Sequence, residues 1–299
     1  MMIKNYMDQV KFSIKKNKNQ YFEAYPKPSD YSLKNFYEKK YFKKKTNATY
    51  SKSYSKEEIK NRLLRSIFYI KIAKPLIKKN SIKFLEIGSG EGFLLKAAHD
   101  EGLDVAGVDY QNDQLKKFNK SIFKFSKKTD PELFLSKKDK IKYDIIAANY
   151  VLEHVRNPLK LVNSLKSLLN KNGIIILSVP NDFKNFQDML YKKKYVKKKY
   201  WFAPPQHLNY FNNNNILFFF KKLKLRVIEA VSDFPIEIFL SLSKNNYTNN
   251  KKKGKEAHNA RLVIDNFILS QPLKISLDFY KACHYAGIGR GMTFFIKKK

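Results

Sequence analysis

Apolar residues along the chain change their rhythm near residue 83. Between 56 and 79, Leu63, Leu64, Ile67, Ile70, Ile72 and Leu76 recur near helical spacing, which predicts one long helix. Ser55, with Glu57 and Glu58 just after it, supplies the start, because a hydroxyl caps and acidic residues suit the first turn. From 83 onward short apolar runs alternate with helical stretches. Lys83–Ile87, Leu103–Val108, Tyr143–Ala148, Ile174–Val179, Leu225–Val231 and Met292–Ile296 read as strands, with a weak one at 121–126. Phe93–Asp100, Asp113–Asn119 and 157–169 read as helices between them, and Asn172-Gly173 as a turn. Strands separated by single helices pair in parallel through right-handed crossovers. The expected fold is α/β: a doubly wound, mostly parallel, seven-stranded sheet.

Four segments follow. Residues 1–55, rich in Tyr, Phe and Lys with Pro26 and Pro28, read as a loop-like N-terminal extension. Residues 56–231 form the core. The stretch 232–285 is too long for a simple connection and reads as a helical insertion, placed to cap an acceptor. Residues 286–299 give the last strand and a basic tail. The longest aromatic-aliphatic run, Ile216–Phe220, is a core segment by length, far short of the roughly 18 residues of a membrane span. No apolar run of signal-peptide type opens the chain, and Cys283 is its one cysteine, so a reducing, cytoplasmic setting is expected.

The chain carries 60 Lys+Arg against 26 Asp+Glu, a formal charge of +34. Such an excess suits a polyanionic partner. The basic residues are overwhelmingly Lys, scattered to both ends, among many Asn, Ile, Tyr and Phe. These residues share AT-rich codons, so base composition also accounts for them. A phosphate-reading surface favours the bidentate fork of Arg.

The informative segment is Phe84-Leu85-Glu86-Ile87-Gly88-Ser89-Gly90-Glu91-Gly92-Phe93. A strand runs into a glycine-rich turn that opens a helix, which lets backbone approach a ligand closely. Asp109 ends the next strand, one βαβ step after Glu86, where a carboxylate accepts both ribose hydroxyls; its competing reading is a helix cap. Two features favour S-adenosylmethionine over NAD. Glu86 would repel a pyrophosphate but suits a sulfonium and an amino group, and the glycines follow G-x-G-x-G instead of G-x-G-x-x-G.

With Asn149-Tyr150-Val151-Leu152-Glu153-His154-Val155 and a strand ending Val179-Pro180-Asn181, the chain over about 80–231 resembles the class I, Rossmann-like S-adenosylmethionine-dependent methyltransferases. The segment Trp201-Phe202-Ala203-Pro204-Pro205-Gln206-His207-Leu208-Asn209-Tyr210-Phe211 and Gly287-Ile288-Gly289-Arg290-Gly291 resemble a subgroup associated with bacterial surface-polysaccharide gene clusters. The resemblance implies that Gly88, Ser89 and Gly90 shape the cofactor loop, that Asp109 holds the ribose and that Tyr110 flanks the adenine. It puts Asn149 and Tyr150 where the methyl group is presented. It also implies a sugar-containing or other small acceptor. The region that would hold the adenine amine is degenerate here; Asp130 is its candidate, with a cap before Pro131 as the other reading.

Methyl transfer to a hydroxyl needs a proton acceptor, and His is the natural one at neutral pH. The candidates are His154, just after the active-site strand, and His207, in a segment expected to form a lid. His99, His258 and His284 lack such context. Glu153 can orient His154 or sit as a solvated charge at a helix start, and Trp201, Tyr210 and Phe211 can line a pocket or fill the core. No H-x-x-x-H spacing occurs, so no metal is expected. Two further readings stay open: an RNA or protein methyltransferase using the basic surface, and an inactive cofactor-binding partner subunit.

Overall fold

The computed structural model describes residues 10–29, 31–33, 53–136, 141–242, 246–248 and 253–299. Much of the expected N-terminal extension therefore lies outside the described residues. What is described of it begins with a hairpin of β1 (Ser13–Lys16) and β2 (Phe22–Tyr25), joined by β8 (Asn209–Tyr210) into a small antiparallel sheet. A strand partner some 180 residues away leaves no local signal, which is why this stretch reads as loop in the sequence.

The central sheet comprises β3 (Lys83–Ile87), β4 (Asp104–Asp109), β5 (Ser126–Lys128), β6 (Tyr143–Asn149), β7 (Leu169–Pro180), β9 (Leu225–Ser232) and β10 (Gly291–Lys298). Their order is β5-β4-β3-β6-β7-β10-β9. The first five pair in parallel, and β10 inserts antiparallel between β7 and β9. The order reverses between β3 and β6, so the carboxyl ends of these strands flank the crevice of a doubly wound sheet.

Both faces are covered, so the strands are apolar on both sides. Leu85, Ile87, Ile175, Leu177 and Phe294 pack with α5 (Pro158–Leu168) and α7 (Asn213–Lys222). Phe84, Ile145, Ile174, Ile176 and Phe295 pack with α1 (Lys56–Ala73), α2 (Phe93–Asp100) and α9 (Leu273–Tyr285). Within α7 the run Ile216–Phe220 is amphipathic and not wholly buried: Ile216, Phe219 and Phe220 face the core while Leu217 and Phe218 are exposed. That is the 3.6-residue period overriding a continuous apolar run.

Helix α1 begins with a full capping box, in which Glu58 N–H donates to Ser55 Oγ and Ser55 N–H to Glu58 Oε2. It stops at Ala73, short of the expected 79, and tightens into a 3₁₀ turn at Lys74–Leu76 that contains Pro75. The expected strand at 121–126 is a 3₁₀ turn at Lys120–Phe125, in which Ile122 alone is buried, with a three-residue strand after it. Residues 113–118 form α3 (Asp113–Phe118) and 131–136 form α4 (Pro131–Ser136). β7 begins before Asn172-Gly173, so the expected turn lies inside the strand. The stretch after β9 holds a 3₁₀ turn (Ile236–Ser241), α8 (Gly254–Leu269) and α9, and α6 (Asn185–Lys192) follows β7. Among the described residues no helix is long and apolar enough to cross a membrane.

Candidate active site

The glycine turn after β3 is built by φ values that side chains avoid: +76° at Gly88, +51° at Gly90 and +77° at Gly92. A Cβ on Gly88 would lie 2.6 Å from Val151 Cγ2. Gly88 N–H donates to Val108 O at 2.8 Å and Gly90 N–H to Asp109 Oδ2 at 2.8 Å, so the turn is tied to the end of β4. Asp109 is buried, and its Oδ1 accepts from Gln111 N–H at 3.1 Å. It is not the cap of α3, whose N-cap is Asn112. Burial raises its pKa, and its remaining lone pairs can still accept two hydroxyls.

Glu86 is buried at the end of β3, and its Oε2 has no hydrogen-bond partner. Burial and then the nearby Asp109 push its carboxyl well above the ordinary value. An orphaned acidic oxygen at this point fits a bound ammonium or sulfonium group, which would satisfy it. Tyr110 is half-exposed and donates to Asp130 Oδ1 at 3.1 Å. Asp130 Oδ1 also accepts from Glu132 N–H at 2.8 Å, so it acts as the cap of α4 while bordering the crevice.

These groups open on a cavity of about 1330 Å³. Single-ligand pockets span ~300–1,000 Å³, so there is room for a nucleoside cofactor and an acceptor together. Asn149 and Tyr150 lie on its wall at the end of β6. Ser178 Oγ donates to Asn149 Oδ1 at 2.8 Å. Tyr150 adopts a left-handed backbone conformation, φ +55°. Its hydroxyl donates to Asp233 Oδ2, and Tyr69 donates to Asp233 Oδ1 at 3.2 Å. Burial, followed by the Asp233 carboxylate, holds the Tyr150 phenol protonated. Sequence reasoning missed Asp233; the signal that could have found it is the glycine pair of the Gly289-Arg290-Gly291 run, which packs against it. A Cβ on Gly291 would collide with Tyr150 Oη and Asp233 Oδ2, and one on Gly289 with Ser232.

His154 reaches the same cavity. Its Nδ1 lies 2.7 Å from Gln206 O; a carbonyl only accepts, so Nδ1 carries the proton and Nε2 the lone pair. Burial lowers its pKa to about 4. The His207 ring meets it edge-on at 5.1 Å between centroids and is itself depressed, by burial first and His154 second. Glu153 is not a solvated helix-start charge. It is buried in a turn, and burial raises its carboxyl to about 8. The segment expected to be a lid is instead fixed in the small sheet, with Leu208, Asn209, Tyr210 and Phe211 all buried. Trp201, Tyr210 and Phe211 fill core instead of lining the cavity. His258, which had no sequence context, does line the cavity and pairs with Glu58 at 3.0 Å.

The chain has six arginines, and five of them, Arg62, Arg65, Arg156, Arg261 and Arg290, line this cavity; among the described residues of the lining Lys128 is the one lysine. Arg62 pairs with Glu91 at 2.9 Å, while Arg65 and Arg261 share the single carboxylate of Asp265. Arg290 sits in a buried network with Asp182, Lys184 and Glu237.

The chain belongs to a methyltransferase-domain family, whose sequence model matches residues 8–230. The ubiquinone biosynthesis O-methyltransferase of Histophilus somni (strain 2336) is 30% identical over 126 residues, 39% of this chain and 52% of that protein. That of Pelagibacter ubique (strain HTCC1062) is 30% identical over 146 residues, 47% of this chain and 58% of that protein. The chain thus spans little more than half the length of these curated relatives. The plantazolicin methyltransferase BpumL, whose structure was determined in complex with SAH, superposes with a TM-score of 0.53 at 16% identity. The superposition covers 89% of this chain and 94% of BpumL. It places the fold among the Rossmann-like methyltransferases.

Proposed function

We propose that the chain transfers a methyl group from S-adenosylmethionine to an oxygen of a small, acidic or sugar-containing acceptor. The observation that carries this is the glycine turn, with orphaned Glu86 and Asp109, opening on one cavity large enough for donor and acceptor. Bound there, the cofactor supplies an activated methyl group on a sulfonium; the protein's work is alignment. Glu86 receives the amino group, Gly88, Ser89 and Gly90 form the backbone cradle, Asp109 holds the ribose and Tyr110 flanks the adenine. Asn149 and Tyr150 border the point of transfer. The stretch 232–285 acts as the acceptor cap, contributing Asp233, Phe234, Ile236, His258 and Arg261 to the lining.

Transfer to oxygen is favoured by His154, which presents a neutral imidazole at the cavity wall where a hydroxyl proton must be drawn off; His207 stands behind it. The curated relatives are named as O-methyltransferases. Four of the five lining arginines are paired with carboxylates; a guanidinium has five N–H donors, and those left over support an acceptor with carboxylate or phosphate groups, such as an acidic sugar intermediate.

The experiment supplies purified protein with methyl-labelled S-adenosylmethionine and fractionated cell extract. Label in a small-molecule or glycan fraction is expected. Label released by nuclease or protease would replace this reading with the RNA or protein alternative. Label in no fraction would favour the inactive partner. In parallel, Asp109→Asn is expected to abolish the thermal stabilisation given by S-adenosylhomocysteine; an unchanged shift would remove Asp109 from the ribose site.

A further inference from the structure

Asp233 follows directly on β9 and is tied down at its backbone and at both carboxylate oxygens. Its N–H donates to Gly291 O at 3.0 Å. Its Oδ1 accepts from Tyr69 Oη at 3.2 Å and its Oδ2 from Tyr150 Oη. Thr293 Oγ1 in turn donates to Tyr69 Oη at 3.0 Å, so the single proton of Tyr69 is left for Asp233. Burial first and Asp233 second hold the Tyr69 phenol protonated, as they do the Tyr150 phenol. Both tyrosines are therefore donors here and not bases.

The phenols occupy one lone-pair site on each oxygen. An ionised carboxylate has about four such sites, so each oxygen keeps one, and Asp233 lines the cavity. Gly291 gives the carboxylate its room, since a Cβ there would lie 2.4 Å from Asp233 Oδ2. Its position relative to the chemistry is also fixed. Tyr150 stands directly after β6, where the methyl group is presented under the proposed function, and its hydroxyl reaches Asp233. Arg65 and Arg261 line the same cavity, and the charge of Asp233 acts on both. An ammonium brought to Asp233 would meet those guanidiniums, whereas a neutral hydroxyl would not be repelled.

We propose that Asp233 accepts the proton of the acceptor's hydroxyl as the methyl group is transferred, with Tyr69 and Tyr150 as positioning residues that hold its carboxylate. The assignment rests on the O-methylation reading and gives the proton a destination other than His154. The hydroxyl O–H bond breaks toward an Asp233 oxygen, and the freed oxygen forms the new C–O bond. The S–C bond breaks at the same time, with its electron pair leaving on sulfur. Charge balances, because the positive sulfonium and the negative carboxylate both end neutral. A base held in place by further groups is the arrangement that activates a hydroxyl in other nucleophilic sites.

The test uses the full chain and two probes that need no known acceptor. These are analogues of S-adenosylhomocysteine in which nitrogen replaces sulfur and carries either a hydroxyethyl or an ethyl group. The hydroxyethyl arm sets a hydroxyl on the acceptor side of the transferred carbon. Calorimetry on the wild-type chain is expected to show the hydroxyethyl analogue binding about tenfold more tightly than the ethyl one. In Asp233→Asn that preference should fall below about threefold while the ethyl analogue still binds, which shows that the variant is folded. Asp233→Ala repeats the comparison should the first variant not bind the ethyl analogue. No preference in the wild-type chain, or the same preference without the carboxylate, overturns the proposal.

With acceptor from the labelled extract fraction, Asp233→Asn should lower kcat at least about 100-fold; undiminished turnover overturns the assignment and leaves the proton to His154. Tyr69→Phe keeps the ring and removes one donor. It should lower kcat about tenfold with KM and ethyl-analogue affinity unchanged, and an unchanged kcat would deny Tyr69 its positioning role. If no fraction takes label, the O-methylation reading fails, and the analogue preference still decides whether Asp233 meets a hydroxyl at the transfer point.

Discussion

Tyr150 shows how much a single position depends on residues far from it. A tyrosine at φ +55° is held against its own preference, and what holds it is the contact of its hydroxyl with Asp233. That contact exists because residue 291 lacks a side chain. Gly291→Ala is therefore expected to displace Tyr150 and lower stability by about 1–3 kcal/mol, read as a lower urea midpoint; an unchanged midpoint would mean that the wall yields freely. The glycine turn and its neighbours were legible at this scale, because Glu86, Gly88 and Asp109 are brought together by local backbone geometry that a turn motif encodes. Glu153 was not. Its burial comes from Leu208 and Asn209 closing over it, and nothing within four residues of Glu153 announces that.

Among the elements, β3 and α2 fall on the expected residues because a two-sided apolar strand and the glycines after it punctuate themselves. The seam between α1 and α8 has no such signature. There Asp265 accepts from Asn61, Arg65, Arg261 and Tyr280. Burial alone would raise its pKa, but Arg65 and the hydrogen bonds outweigh this and lower it. A carboxyl depressed in the folded state stabilises above its unfolded value of 3.8 and loses that contribution as pH falls below it. Asp265→Asn should therefore cost about 3–5 kcal/mol at pH 7, where it strands two buried cations. The gap between variant and wild type should narrow toward pH 3, as measured by denaturant midpoints at each pH. A gap independent of pH would show that packing, not charge, holds the seam.

For the whole molecule, the charge of +34 divides into two populations. Lysines are spread over the chain, whereas five of six arginines gather on one cavity. In a chain so rich in lysine, arginine persists where a planar fork is needed. Arg261→Ala should thus raise KM for an acidic acceptor at least about tenfold with little change in cofactor-induced stabilisation. The same loss of affinity for an uncharged acceptor would assign Arg261 to the α1–α8 seam alone.

The place of β10 in the sheet orders events in time. β9 has no neighbour in the sheet except β10, and β10 is the final element of the chain. On the ribosome β3 to β6 emerge with all their sheet partners, and β7 emerges beside β6 with its other edge waiting for β10. β9 must wait for the last residues, and Gly291 at the head of β10 sets Tyr150 and Asp233 against each other. A nascent chain can therefore form the glycine turn and Asp109, the donor site of the proposed function, well before the Tyr150–Asp233 contact, and a chain truncated before residue 291 should keep the first and lack the second.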